Sequence, residues 1–275
     1  MNISIIIVNY KTRGLLKYHL KNILELNLPF DFEIIVVDNN SRDGSVEMVK
    51  LFYGHKSQIK LIESKENLGY SAGNNLGAKE AQGKYLLIFN SDIKPLASSI
   101  EKLYHFMEDH PEVGLAGPKL INTDGSLQFS CFRFPKFLMP AYRRTPLGRL
   151  PFIRKKIDWY IMKDWDHNKT KPVDWLLGSA LIVRGSALEK VGLFDERFYL
   201  YFSDVDWAKR FWLNNYQVYY VSESQMIHLH RRESADMDWF KSLFNRTTRI
   251  HIKEWLKYFW KYRNKSQCQS AGSSR

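Results

Sequence analysis

The chain has 275 residues and 44% hydrophobic content, enough for one large α/β domain with an appendage or for two small domains. No apolar run reaches the roughly 20 residues that cross a bilayer, and the short run Ile3 to Val8 lacks the flanks of a signal peptide. The formal net charge of +12 is concentrated: residues 131–172 hold eleven Lys/Arg against three Asp/Glu, residues 241–275 hold nine against one, and the remainder is net −4. This pattern argues against a uniformly basic protein and for a localised anionic partner.

In chain order, Ser4 to Val8 is a β-branched run of the kind buried on both faces, and it predicts a first strand. Leu15 to Leu26 carries apolar residues at 16, 20, 23 and 24, a helical spacing, and Pro29 follows as a stop. Glu33 to Asp38 reads as the second strand. Asp43-Gly44-Ser45 opens a second helix with Val46, Val49 and Phe52 inside. Ile59 to Ile62 is a third strand, Ser71 to Ala81 a third helix closed by Gly83, and Lys84 to Phe89 a fourth strand. Repeated β-α units predict an α/β fold: a Rossmann-like, mostly parallel sheet with helices on both faces. Residues 131–172 show no clean period and read as a long, partly ordered insertion near the active site. β character returns from Pro172 to Val183, and helical character from Val205 to Leu213. Gln269 to Arg275 reads as a frayed terminus. Cys131 and Cys268 have no metal or redox spacing and are expected as free thiols in a reducing cytoplasm.

Open sheets of this kind bind ligands beyond the carboxyl ends of their strands. Polar residues gather there: Asn9-Tyr10 after the first strand, Asp38-Asn39-Asn40-Ser41 after the second, Asn67 and Gly69 after the third, Asn90-Ser91-Asp92 after the fourth. Each alone is compatible with turn chemistry; in register they predict a crevice. Farther on, Phe194 to Trp207 places Asp195, Glu196, Asp204 and Asp206 among aromatic and leucine side chains. Such a frame lowers the local dielectric and raises an enclosed carboxyl's pKa, as a general base requires.

These pieces resemble a family 2 glycosyltransferase of the GT-A fold, and most of all its rhamnosyltransferase-like members that build bacterial surface polysaccharides. The matching segments are Ile6 to Tyr10, Val36 to Ser41, Asn67 to Tyr70 with Asn74-Asn75, Phe89 to Asp92, Gly178-Ser179-Ala180, Phe194 to Asp206, and His228. They stand in the family's order. The resemblance implies one GT-A domain at 1–240, with a nucleotide-binding half at 1–95 and an acceptor and catalytic half at 96–240; the charge and spacing of residues 241–275 read as a basic amphipathic helical extension. It implies that Asp38 accepts the ring N–H of a uracil or thymine, and that Asp92 and His228 hold a divalent cation, Mn²⁺ or Mg²⁺. His230 is an alternative ligand, and Arg231 and Arg232 are candidate diphosphate contacts. Asp204 is the implied general base, with Asp206 the runner-up. The family usually has Glu at the position of Ser203, and its replacement by Ser removes one like charge and one acceptor beside Asp204. Asn9, Tyr10, Asn40, Asn67, Gly69, Asn75, Asn90, Trp175, Gly178 and Asp206 complete the expected substrate contacts. Asp195-Glu196 is expected to cap or salt-bridge the turn before the active segment.

The implied reaction is one in-line displacement. An acceptor hydroxyl held at Asp204 attacks the anomeric carbon opposite the nucleotide diphosphate, inverting its configuration. The partners are a nucleotide-diphosphate sugar and a glycan or lipid-linked glycan. Arg249 to Lys265 sets Ile252, Trp255, Leu256, Phe259 and Trp260 on one helical face and Lys253, Lys257 and Lys261 on another. This suits a peripheral contact with an anionic membrane, at the cytoplasmic face, by a segment dispensable for donor hydrolysis. The alternative is a terminal helix packed on its own domain. A nucleic-acid- or membrane-binding module without catalysis explains the tail but not Asp38, Asp92, Asp204 and His228. An enzyme that makes nucleotide sugars would need a Gly-rich loop where Asn9-Tyr10-Lys11-Thr12 stands.

Overall fold

A computed structural model describes residues 1–229 and 245–263. Its central sheet is built from β1 (Ile3–Asn9), β2 (Phe32–Asp38), β3 (Ile59–Glu63), β4 (Tyr85–Asn90), β5 (Ile93–Pro95), β6 (Val113–Ile121), β11 (Ala180–Arg184) and β12 (Gln217–His228). Four two-residue strands, β7 (Leu127–Gln128), β8 (Cys131–Phe132), β9 (Lys171–Pro172) and β10 (Trp175–Leu176), fill in around it. The order across the main sheet is β3-β2-β1-β4-β11-β6-β12-β5. β3, β2, β1 and β4 are mutually parallel. β11 runs antiparallel to both β4 and β6, whereas β12 is parallel to β6. The sheet is therefore mostly parallel, and it runs unbroken from the first half of the chain into the second.

The helices are α1 (Arg13–Glu25), α2 (Ser45–Tyr53), α3 (Gly69–Ala78), α4 (Ser99–Asp109), α5 (Met139–Arg144), α6 (Pro151–Tyr160), α7 (Leu188–Val191), α8 (Ser203–Leu213) and α9 (Arg246–Tyr262). Strand periodicity assigns them to faces. Ile3, Ile5 and Ile7 point into a core with Leu16, Leu20 and Ile23 of α1, Met48 and Val49 of α2, and Leu103 and Met107 of α4. Ile6 points the other way, into a core with Trp207 and Phe211 of α8 and Tyr258 and Tyr262 of α9. α3 lies close on this second face because Gly73 and Gly77 face the sheet. A Cβ there would stand 2.9 Å from Val8 and 2.6 Å from Ile6.

Two expectations change. Between the short strands β8 and β9, the middle of the insertion 131–172 is helical: α5, a 3₁₀ turn at Pro146–Arg149, and α6. Each has a proline in its first turn, where a missing N–H costs nothing. They are too short to display a period. The expected apolar stripe of the last helix also divides. α9 turns Glu254, Tyr258 and Tyr262 into the domain and leaves Ile252, Leu256 and Trp260 exposed. Trp255 and Phe259 lie between, against Phe137 of the insertion. Gln269 to Arg275 and Cys268 lie outside the described residues, while Cys131 is buried.

Candidate active site

The carboxyl ends of β1, β2 and β4 form one connected rim. Asp38 ends β2 and is buried; its Oδ1 accepts from the Asn9 amide at 2.9 Å and its Oδ2 from the Ser41 N–H at 2.9 Å. Asn9 also donates to the Ser41 hydroxyl and accepts from the Thr12 hydroxyl, which in turn meets the Ser91 hydroxyl at 2.9 Å. Asn9 is thus fully engaged in orienting Asp38 rather than offered outward. Asn40 adopts φ 58° and accepts from the Arg42 guanidinium. Its left-handed turn swings the chain back so that Ser41 can reach Asp38.

The loop after β3 is held by Asn39, whose amide donates to Asn67 Oδ1 and to the Gly69 carbonyl and whose Oδ1 accepts the Leu68 N–H. Asn67 Oδ1 accepts the Gly69 N–H as well. Gly69 opens α3 with φ +80°, and a Cβ there would lie 2.4 Å from the Tyr199 ring. Only glycine fits this crossing. Tyr10 stands exposed at the mouth, its phenol drawn below its usual range chiefly by a hydrogen bond from Asn67.

Asn75 does not enter the crevice. Its amide donates to the Phe194 carbonyl and to Glu196, and its Oδ1 accepts the Phe194 N–H at 2.9 Å. It clamps the start of the acidic segment, a role that a polar residue on a helix does not announce. Trp175 likewise lies in the core, stacked on Phe132 with its indole N–H on the Arg133 carbonyl.

Asp92 and His228 converge from the loop after β4 and the end of β12. Their Oδ2 and Nε2 are 3.2 Å apart. The other ring nitrogen of His228 meets Gln128 Oε1 at 2.9 Å, which orients the imidazole toward Asp92. The Leu229 N–H on the Asp92 carbonyl ties the two segments further. One carboxylate oxygen and one imidazole nitrogen at this spacing fit two sites on one Mn²⁺ or Mg²⁺. Among the described residues no group of three or more His, Cys, Asp or Glu forms, so a diphosphate would have to supply further oxygens. Gln128 carried no sequence signal. His230, Arg231 and Arg232 lie outside the described residues.

Asp204 sits in the first turn of α8. Its Oδ1 accepts the Val205 N–H at 2.9 Å and its Oδ2 the Gly178 N–H at 3.0 Å. Burial pushes its carboxyl up to about 6, although both N–H groups pull it down. The residue before the helix, Phe202, adopts φ 60°, a left-handed conformation uncommon for an aromatic residue. Gly178 is boxed in: its carbonyl accepts the Tyr70 hydroxyl, and a Cβ would stand 2.8 Å from that oxygen. One residue on, the Ser179 carbonyl accepts the Asn90 N–H at 2.9 Å. The short segment Gly178-Ser179 therefore joins Asp204 to the end of β4.

Asp206 is not on this surface. It is fully buried and binds Arg210 at 2.9 Å, the Tyr262 hydroxyl at 2.8 Å, and Lys261. The physical reason is helical geometry: two residues along α8 turn its side chain about 200° from Asp204. Asp195 meets Arg197 at 2.6 Å and Lys261 at 2.8 Å. Burial raises its carboxyl, but those two cations together outweigh it and hold it well below the usual range. Glu254 of α9 accepts from the backbone N–H groups of Tyr199, Leu200 and Tyr201. The last helix thus grips both the loop before Asp204 and the helix that carries it.

Residues 4–153 match the family model described as "Glycosyl transferase family 2". An N-acetylglucosaminyl-diphospho-decaprenol L-rhamnosyltransferase of Mycobacterium tuberculosis is 28% identical over 219 residues, 74% of this chain and 68% of that protein. A low-salt glycan biosynthesis hexosyltransferase of Haloferax volcanii is 27% identical over 250 residues, 88% of this chain and 71% of that protein. Among solved structures, a mannosyltransferase from Pyrobaculum calidifontis in complex with GDP-Man and Mn²⁺ shares the fold with a TM-score of 0.64 at 16% identity. The match covers 98% of this chain and 66% of that one.

Proposed function

The chain belongs to glycosyl transferase family 2, and from that premise we propose a metal-dependent, inverting transfer reaction. A sugar, rhamnose among the candidates, passes from a UDP- or dTDP-sugar to a hydroxyl of a lipid-linked glycan during surface polysaccharide assembly. The observation that carries this reading is Asp204: a half-buried carboxyl raised to about 6, held by two backbone N–H groups and joined through Gly178-Ser179 to the strand end Asn90. A base in that state takes a proton from a sugar hydroxyl without itself being lost to solvent. Asp38, held by Asn9 and Ser41 at the end of β2, would accept the pyrimidine N–H. Asp92 and His228 would hold the cation, whose chemistry is to offset charge on a departing diphosphate. The lipid-linked acceptor and the sugar rest on what the mycobacterial relative's name describes.

The test is a thermal-shift screen of UDP- and dTDP-sugars with Mn²⁺. One nucleotide series is expected to raise the Tm, a chelator to remove the shift, and Asp92→Ala to abolish both the shift and turnover. Full activity in excess chelator would remove the cation from the reading.

We further propose that the outer face of α9 meets an anionic membrane at the cytoplasmic side. Leu256 is 50% and Trp260 69% exposed. With Phe137 and Phe259 they line a groove of about 690 Å³ rimmed by Lys253, Lys257 and Arg263. No described helix is long and apolar enough to cross a membrane. An apolar strip edged by cations suits the lipid interface, where each Lys or Arg contributes about 1 kcal/mol. Leu256→Glu with Trp260→Glu should abolish co-sedimentation with anionic vesicles and leave the fold intact. High salt should weaken wild-type binding only in part, because the apolar share is unscreened. Undiminished sedimentation of the double variant would discard this face.

A further inference from the structure

The insertion brings two guanidinium groups to the flank of Asp204 that the transfer reaction, as described so far, does not use. Arg143 and Arg144 end α5, where cations complement the helix dipole. Arg143 stands 5.4 Å from the Tyr160 ring and 5.8 Å from the Phe132 ring. Phe132 stacks on Trp175, and the strand bearing Trp175 leads directly to Gly178, which holds Asp204. Arg144 stands 5.7 Å from the ring of Tyr201, which precedes Asp204 by three residues. The two cations therefore lie over the two walls that flank the base.

Both residues are exposed, although crowding around Arg144 lowers its guanidinium through partial burial, and neither forms a salt bridge among the described residues. The other arginines near the catalytic segment are paired: Arg197 with Asp195, Arg210 with Asp206. Aromatic faces fix Arg143 and Arg144 in place without neutralising them. His251 lies against Tyr201 and Phe202 with ring centroids at 4.8 and 5.3 Å. Burial, then Arg144 and Arg143, push its imidazole down to about 3, so it stays neutral beside them. The result is a small cationic patch beside Tyr160 and Tyr201 that no carboxylate among the described residues compensates.

We propose that Arg143 and Arg144 bind the phosphate or diphosphate group of the acceptor. This rests on the lipid-linked acceptor reading above. In-line displacement puts the nucleophile and the departing diphosphate on opposite sides of the anomeric carbon. The departing group lies toward Asp92 and His228; Asp204 and whatever flanks it lie toward the acceptor. An anion bound beside Asp204 is therefore a second anion, not the donor's. Paired guanidinium forks match phosphate oxygens in geometry as well as charge, which lysines do not. The acceptor sugar's hydroxyl would then be held at Asp204 by an anchor on the far side of that sugar.

The test uses calorimetric titration of a short-chain alkyl diphosphate into the enzyme saturated with nucleoside diphosphate and Mn²⁺. The wild type is expected to bind it, and Arg143→Ala with Arg144→Ala to weaken it by roughly tenfold or more. Arg143→Lys with Arg144→Lys should recover binding only in part. Affinity for the nucleoside diphosphate should match the wild type, which also shows that the variant is folded. Equal alkyl diphosphate binding by wild type and Ala variant overturns the proposal, as does no binding by the wild type. Loss of anionic-vesicle binding in the variant with unchanged alkyl diphosphate affinity also overturns it, and assigns the arginines to the lipid surface. Failure of the nucleoside diphosphate to bind the wild type would instead strike the transferase reading itself.

Discussion

Asp204→Asn is expected to bind the nucleotide donor as the wild type does and to lose roughly 10²–10⁴ in kcat, the scale of general-base removal. The substitution keeps one oxygen for the N–H groups of Val205 or Gly178 and removes the basic carboxylate. The wild-type pH profile should carry the same signature. Burial raises Asp204 to about 6, so the acid form accumulates below that pH and the base form above it. The rate should therefore fall about tenfold per pH unit below 6 and level off above it. The variant should lack that limb. Asp206→Asn supplies the contrast: its pH limb should persist while its Tm falls, because Asp206 faces Arg210, Lys261 and Tyr262 instead of the crevice. Near-normal turnover in Asp204→Asn, with turnover lost in a folded Asp206→Asn, would shift the base by two residues.

How much of this was legible depends on whether a residue's partners are near it in sequence. The parallel strands β1 to β4 announce themselves through β-branched runs, and the polar residues at their ends follow from the Rossmann-like rule about carboxyl ends. Asp38 and Asp92 were accessible on that basis, and Asp204 through its aromatic frame. Of the later strands, the β character of Pro172 to Val183 covers β10 and most of β11, whereas β6 and β12 gave no such signal. β6 contains Gly114, Gly117 and Pro118, which disguise a strand, and β11 enters the sheet antiparallel only because the chain returns from the insertion. Asn75 reads the same whether it faces a ligand or a loop; its partners lie 119 and 121 residues away. Asp206 was separable in principle: once α8 begins at Ser203, positions 204 and 206 fall on opposite faces. Glu254 also left a trace, as the one acid among nine bases in residues 241–275. A lone carboxylate in a basic helix with an aromatic stripe marks the inward face, since a charge is kept there only if backbone or side-chain donors satisfy it.

That inward face decides what deletion of residues 246–275 does. The sequence alone expects a dispensable anchor, with donor hydrolysis hardly changed. The structure predicts loss of the cooperative fold. Deletion removes Tyr258 and Tyr262, each less than a tenth exposed, from the core shared with α8. Burial of aromatic side chains of this size is worth about 1.5–3 kcal/mol each. It also strips Asp206 of Lys261 and Tyr262 and Asp195 of Lys261, and breaking a buried ion pair by removing one partner costs about 3–5 kcal/mol. Together these reach the whole stability of an ordinary domain, about 5–15 kcal/mol. The Glu254 carboxylate that gathers the N–H groups of Tyr199, Leu200 and Tyr201 goes too, so the loop before Asp204 loses its anchor. The truncated chain should show no sigmoidal thermal transition and no donor hydrolysis, whereas Leu256→Glu with Trp260→Glu should keep both. A truncated protein with a wild-type Tm and full donor hydrolysis would show that α9 rests on the domain without supporting it. A truncated protein that melts normally but has lost hydrolysis would confine the helix to positioning Asp204, with Lys261 and Tyr262 contributing little to stability.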